Sequence, residues 1–263
     1  MKGTEMENTA HAPLNDHRFS DDERRALYEA LYNRRDTRAE FLPTPVSNDM
    51  LARVLTAAHY APSVGFMQPW SFTVIRSADV KRRVHALFEK AHGEAAEMFE
   101  GPARETYRGL KLEGILEAPV NICVTCDKDR AGPVVVGRTH IKAMDVYSSV
   151  CAVQNLWLAA RAEGLGVGWV SIFDQKALKK VLGIPRRVVP VAYLCLGHVS
   201  RFHEKPELQK AGWRPRLPVD ELVHFDHWGE AADGDAAADD LLRELREAQT
   251  VVEGGAFARP AAM

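Results

Sequence analysis

The chain has 263 residues, 46% of them apolar and 27% charged, with 34 basic and 36 acidic side chains and a formal charge of −2. That length can bury a substantial core as one large domain or two small ones, and so small a charge gives no footing for nucleic acid or an anionic membrane as partner. No apolar run reaches eighteen residues, so no membrane-spanning helix is expected.

The start, MKGTEMENTAHAPLNDHRFS, is polar, mixed in charge and without the apolar stretch of a secretory signal. Residues 1–18 are expected to be flexible, residues 19–229 to form the core, and residues 230–263, rich in Ala, Gly and Asp, to be a disordered tail with at most a short helix over Asp239–Glu247. Ser20 and Glu23 form a capping-box pattern, and Leu27 with Leu31 carries a helix to Arg34. Pro43 and Pro45 break the chain before a second helix whose face is Leu51, Val54, Leu55 and Ala58. APSVGFMQP is a loop, Ser71–Ile75 a strand and Ala78–Met98 a helix. A polar, mobile stretch follows to Glu117, then the buried strand PVNICVTC. Lys142–Glu163 is an apolar helix stopped by Gly164. Gly166–Ile172 is a strand, Gln175–Leu182 a helix ended by Gly183, and Val188–Val199 a long strand. Helices and strands mix without a regular βαβ count, which points to an α+β fold. Cys123, Cys126, Cys151 and Cys195 are too few for a disulfide scaffold and read as buried thiols of a cytoplasmic protein.

Four segments could carry chemistry. Arg34-Arg35-Asp36-Thr37-Arg38 sets three guanidiniums where a helix runs out; they can fork around a phosphate, or simply offset the helix dipole. Asp36 is the odd member, since a carboxylate repels a phosphate. The constrained loop Ala61–Trp70 offers backbone N–H groups, Gly65 for close approach and Gln68 as donor and acceptor, or else is a rigid turn. Gly166-Val167-Gly168-Trp169-Val170-Ser171 fails the dinucleotide spacing but could lay backbone against a ring. Trp213-Arg214-Pro215-Arg216 adds two cations on fixed backbone, or is a surface arm. The Cys123–Cys126 spacing lies in a buried strand with no partner pair, and a tail-edge His224, Asp226, His227 set is incidental, so no metal site is expected.

In this order the four segments resemble the FMN-dependent nitroreductase superfamily, from about Arg34 to Leu217. The resemblance implies a nitroreductase-like α+β fold, a mixed central sheet flanked by helices with an extended C-terminal arm, and a homodimer with FMN at the subunit interface. It also implies flavin contacts from Arg34, Arg35, Arg38, Ser63, Gly65, Gln68, Val170, Arg214 and Arg216, with Lys111 as a further polar contact. The chain departs from ordinary nitroreductases at Asp36, where the family keeps a serine, at Ser171-Ile172, where Glu-Gly is usual, and in an insertion, about 89–116, that would serve as a lid. RRDTR and GWVSIFD are similar to the 5,6-dimethylbenzimidazole synthase group. That likeness implies oxygen-dependent fragmentation of reduced FMN to 5,6-dimethylbenzimidazole, the lower ligand of vitamin B12, with D-erythrose 4-phosphate as the other product. Asp36 and Ser171 would be catalytic, reduced FMN the substrate and O2 the co-substrate, with a flavin reductase or NAD(P)H as electron source. The rival readings are an NAD(P)H-dependent nitroreductase or flavin reductase with resident FMN, and a flavin-storage protein.

Overall fold

The computed structural model describes residues 17–230 and 235–257. All but two residues of the expected flexible amino terminus lie outside these. The chain opens with α1 (Asp21–Asn33), whose start carries the full capping box: Ser20 Oγ accepts from Glu23 N–H, and Glu23 accepts from Ser20 N–H. Then come α2 (Asn48–His59), β1 (Trp70–Ile75), α3 (Ala78–Ala96), α4 (Gly101–Gly109) and β2 (Val120–Asp127). These are followed by α5 (Met144–Ala162), β3 (Leu165–Val170), α6 (Gln175–Leu182), β4 (Val188–His198), the one-turn α7 (Glu207–Lys210) and α8 (Ala236–Glu253). Gly183 ends α6 at φ 67°, the left-handed conformation that Gly adopts without steric cost.

The four strands form an antiparallel sheet in the order β1-β2-β4-β3. The sheet is thus antiparallel throughout its named strands, where a mixed one was expected; the parallel pairing among the described residues is an isolated bridge from Asp36 to Val167. Strand periodicity sorts β2 onto two faces. Val120, Ile122 and Val124 meet Leu194, Leu196, Val167 and the buried faces of α2 and α5. Cys123 lies on the opposite face with Cys195, Tyr193, Val84 of α3 and Leu178 of α6. This alternation separates Cys123 from Cys126, whose thiol bonds Ser149 of α5. Burial holds the Cys123 thiol up at about 12, so the pair is structural.

Two further sequence expectations need correction. The stretch after Met98 is ordered: α4 packs its Tyr107 ring against Phe99 and His92, His92 stacks on Phe88, and Phe99 meets Trp213 edge-on. Phe88 and His92 stand four residues apart on α3, but Phe99, Tyr107 and Trp213 reach them from outside that helix, so the full stack is invisible until the chain folds. The expected tail also carries an 18-residue helix, α8, capped by Asp235. Gln249 accepts from Val219 N–H at 2.7 Å and donates to Leu217, Arg246 pairs with Asp220 at 3.1 Å, and Phe257 meets the rings of Tyr28 and Tyr32. The contacts that hold α8 come from residues 217–220, and those that hold Phe257 beyond it come from α1, all outside the segment's own composition.

Candidate active site

The Arg34–Arg38 segment leaves α1 and runs beside β3. Thr37 N–H bonds Val167 O at 3.0 Å, and Trp169 N–H donates to Asp36 Oδ1 at 2.9 Å. Gly166 and Gly168 make this approach possible: a Cβ at Gly168 would strike the Thr37 carbonyl oxygen, and one at Gly166 would strike the Thr37 and Val199 side chains. The glycines therefore admit this chain's own backbone, where the sequence suggested a ligand ring. Further on, Leu42 N–H bonds His198 O at 2.8 Å and Ser200 N–H bonds Glu40 O at 2.9 Å, which brings residues 38–40 over the end of β4.

Asp36 is half-buried. Its Oδ2 accepts from Arg38 and its Oδ1 from Trp169, which leaves lone-pair capacity on both oxygens. Burial pushes the carboxyl above the usual carboxylate range, against the pull of Arg38, the Trp169 N–H and Arg34. Arg38 is buried and spent on two carboxylates, Asp36 and Glu207, the latter at 3.5 Å. It is thus a partner of Asp36, where the sequence placed it among the flavin contacts.

Arg34, Arg35 and Arg216 form a cationic cluster. The Arg34 guanidinium lies 4.5 Å over the Trp157 ring, and Arg35 donates to the Tyr32, Arg34 and Glu204 carbonyls. Burial lowers both arginines' affinity for their protons, and they repel each other and Arg216 as well. Arg161, missed in the sequence because it stands in the last turn of α5 like any solvated cation, adds to the repulsion on Arg35 and packs over Phe202. Arg35 Nε is buried with no hydrogen-bond partner. Arg214 is exposed and makes no ion pair among the described residues.

The other candidate segment sits elsewhere on α5. Val64 N–H donates to Ser148 Oγ at 3.2 Å, and Ser63 Oγ accepts from Gln68 N–H at 3.1 Å. Gly65, Phe66 and Gln68 have φ of 57°, 51° and 44°, a strained run of the kind stored at functional sites. Gly65 admits Val135 and Val136, whose atoms a Cβ there would strike. A cavity of about 540 Å³ opens beside Gln68 between α2 and β1, away from the arginines 34, 35 and 216. Ser148 and Trp157 are nine residues apart, so the loop and the cationic cluster lie roughly 13.5 Å apart along α5. Val170 is buried at the end of β3, and Ser171 after it is exposed. Lys111 is paired with Glu113 and, at 2.8 Å, with Glu117.

Sequence reasoning also missed an acidic group behind Arg38. Glu40, His203 and Glu207 bring ligand-type atoms within 4.8 Å of one another. They come from two segments far apart in sequence that the Ser200–Glu40 and Leu42–His198 backbone bonds bring together, and no local spacing links Glu40 to the other two.

The profile of the nitroreductase family matches residues 31–198. A 5,6-dimethylbenzimidazole synthase of Rhodospirillum rubrum is 39% identical over 193 residues, 72% of this chain and 90% of that protein. One from Rhodobacter capsulatus is 37% identical over 202 residues, 77% and 97% of the two chains. Among solved structures, a BluB-like flavoprotein from Clostridium difficile 630 superposes with a TM-score of 0.58 at 20% identity, over 76% of this chain and 99% of that one. Oxidised iodotyrosine deiodinase bound to FMN and 3-iodo-L-tyrosine gives 0.61 at 21%, over 77% and 100%.

Proposed function

Because the chain belongs to the nitroreductase family, we propose that it is a 5,6-dimethylbenzimidazole synthase, which fragments reduced FMN with O2 and releases D-erythrose 4-phosphate. Two relatives carry that synthase name over nearly their whole length. The observation that carries the reading is the half-buried Asp36 carboxylate, raised in basicity by burial and set beside an under-neutralised cluster of arginines.

The residues present suit FMN. Arg34, Arg35 and Arg216 supply unspent positive charge for a phosphate, and the orphaned Arg35 Nε is one donor awaiting an acceptor. The distance along α5 between this cluster and the Ser63–Gln68 loop calls for an elongated ligand, with phosphate at one end and a ring system at the other. Bound reduced flavin would supply the reactivity toward dioxygen. Asp36 would take a proton from the ribityl C1′ carbon, using lone pairs that Trp169 and Arg38 leave free. Ser171, exposed at the end of β3, would hydrogen-bond near the flavin N5 edge. Residues 89–116 would cover the site, coupled to the Arg216 arm through Phe99 and Trp213. Electrons come from NAD(P)H or a separate flavin reductase.

The deciding experiment incubates the purified protein with reduced FMN and air and follows both flavin and products by mass spectrometry. Stoichiometric flavin loss with a new benzimidazole is the expected outcome, and Asp36→Asn should bind FMN at least as tightly yet form little product. Flavin that merely reoxidises would favour a nitroreductase or flavin reductase with resident FMN. Product from Asp36→Asn at the wild-type rate would remove the base assignment.

A further inference from the structure

Arg38 is an unusual partner for a base. Its side chain is only 11% exposed and faces two carboxylates: Nη2 donates to Asp36, and Nη1 lies 3.5 Å from Glu207 Oε2, an ion-pair approach in which that oxygen makes no hydrogen bond. An arginine given wholly to one carboxylate lowers that group's pKa and makes it a poor proton acceptor. We propose that Glu207 is a positioning residue that, by sharing the Arg38 guanidinium, keeps Arg38 from fully neutralising Asp36 and so maintains the basicity of the Asp36 carboxylate. The inference rests on the reading of Asp36 as the base.

Glu207 is held where this requires. It opens the one-turn α7 directly after Pro206, and Trp213 N–H bonds Leu208 O at 2.9 Å to close the following turn. Its other oxygen faces His203 Nε2 at 3.7 Å, and His203 Nε2 meets Glu40 Oε1 at 2.7 Å. The Glu40 side chain is 8% exposed, and its Oε2 has no hydrogen-bond partner. Burial and the neighbouring Glu40 raise the Glu207 carboxyl above its usual range, against Arg38 and His203, with Asp36 adding to the rise. The charged and titratable groups facing the pair are therefore Arg34, Arg38, Glu40 and His203, with the Cys195 thiol of β4. Asp36 and Glu207 share the one Arg38 guanidinium, and Glu40 and Glu207 both face the His203 ring. The same grouping is a poor cation site, because the Arg38 guanidinium already stands against Glu207.

Asp36 and Glu207 should titrate as a coupled pair, and removing one should leave a single step at lower pH than the pair's upper step. The test labels the full-length protein with carboxyl-13C aspartate and assigns Asp36 by the resonance lost in Asp36→Asn. In Glu207→Gln the Asp36 midpoint should fall by about 1 unit. The acid limb of product formed per bound FMN should move down with it, and the plateau should drop. Glu207→Asp, which keeps the charge but retreats from Arg38, should lie between the two and serves if Glu207→Gln does not fold. An Asp36 midpoint that stays put or rises in a folded variant overturns the proposal. If Asp36→Asn loses product while Glu207→Gln leaves the midpoint unmoved, only the Glu207 role falls. If Asp36→Asn keeps product, the base assignment fails whatever the resonance does.

Discussion

Asp36 accepts from two directions, the Trp169 N–H and the Arg38 guanidinium, and still sits above the usual carboxylate range because burial outweighs both. The sign of its pH effect follows. A carboxyl raised in the folded chain must lose its proton before it can act as a base, so product formation should fall away on the acid side at a pH above the ordinary carboxylate value of 3.8. In stability terms, the cost of ionising it is absent below the unfolded pKa and fully present above the folded one. Asp36→Asn should therefore melt at pH 7 no lower than the wild type, as differential scanning calorimetry can check. The arginines predict a contrasting behaviour. Arg34→Gln should weaken FMN binding by about 1.5–3 kcal/mol, the worth of a charged hydrogen bond, as read by quenching of flavin fluorescence. Arg214→Gln, at an exposed residue outside the cluster, should change it far less. Equal losses in both variants would contradict the placement of the phosphate between Arg34, Arg35 and Arg216.

Between residues and the whole lies the pairing of the 36–37 segment with β3. Thr37 and Asp36 lie against β3 because Gly166 and Gly168 have no side chains to hold them off. Gly168→Ala puts a methyl group into the Thr37 carbonyl, a rigid backbone atom that cannot swing aside. Overpacking of this kind costs about 1–3 kcal/mol, and here it also pushes Asp36 off the Trp169 N–H. The expected result is a lower urea midpoint together with a larger fractional loss of product than of FMN binding. A variant as stable and as active as the wild type would mean that the segment relaxes freely. The same scale explains the insertion: α4 gains order from the stack of Phe88, His92, Tyr107 and Phe99, which the polar residues around it conceal.

At the scale of the molecule, the surface beside the Ser63–Gln68 loop stays unusually apolar. Phe66 is 82% exposed, Val136 83% and Tyr147 55%, and the loop touches both the 135–136 segment and Ser148 of α5. Large exposed apolar patches mark interaction surfaces, which supports the homodimer implied by the resemblance. Size-exclusion chromatography with light scattering should give twice the mass of one chain. Val136→Asp should yield folded monomers with sharply reduced FMN binding, because the Ser63–Gln68 loop would lose its cover. A monomeric wild type, or a Val136→Asp variant that remains dimeric and binds FMN normally, would count against this arrangement.

Local signals reached far along this chain. The capping box at Ser20, the stop at Gly183 and the alternation in VNICVTC depend on neighbours one to four residues away, so helix starts, helix stops and buried strands could be read directly. The RRDTR, PSVGFMQP and GWVS segments likewise carried the family likeness, because each is a short run whose residue types suffice. Other assignments depended on residues distant in sequence. Arg38 read only as a flavin contact until folding delivered Glu207 to it. The glycines of β3 read as room for a ring until Thr37 filled it. The last segment read as tail until Asp220 and Val219 gave α8 somewhere to dock and Tyr32 met Phe257 beyond it. A one-dimensional pattern encodes each residue's own preference and that of its near neighbours. Which opposite charge or ring arrives from a hundred residues away depends on the packed fold, and that arrival determines which cations remain free to bind a ligand.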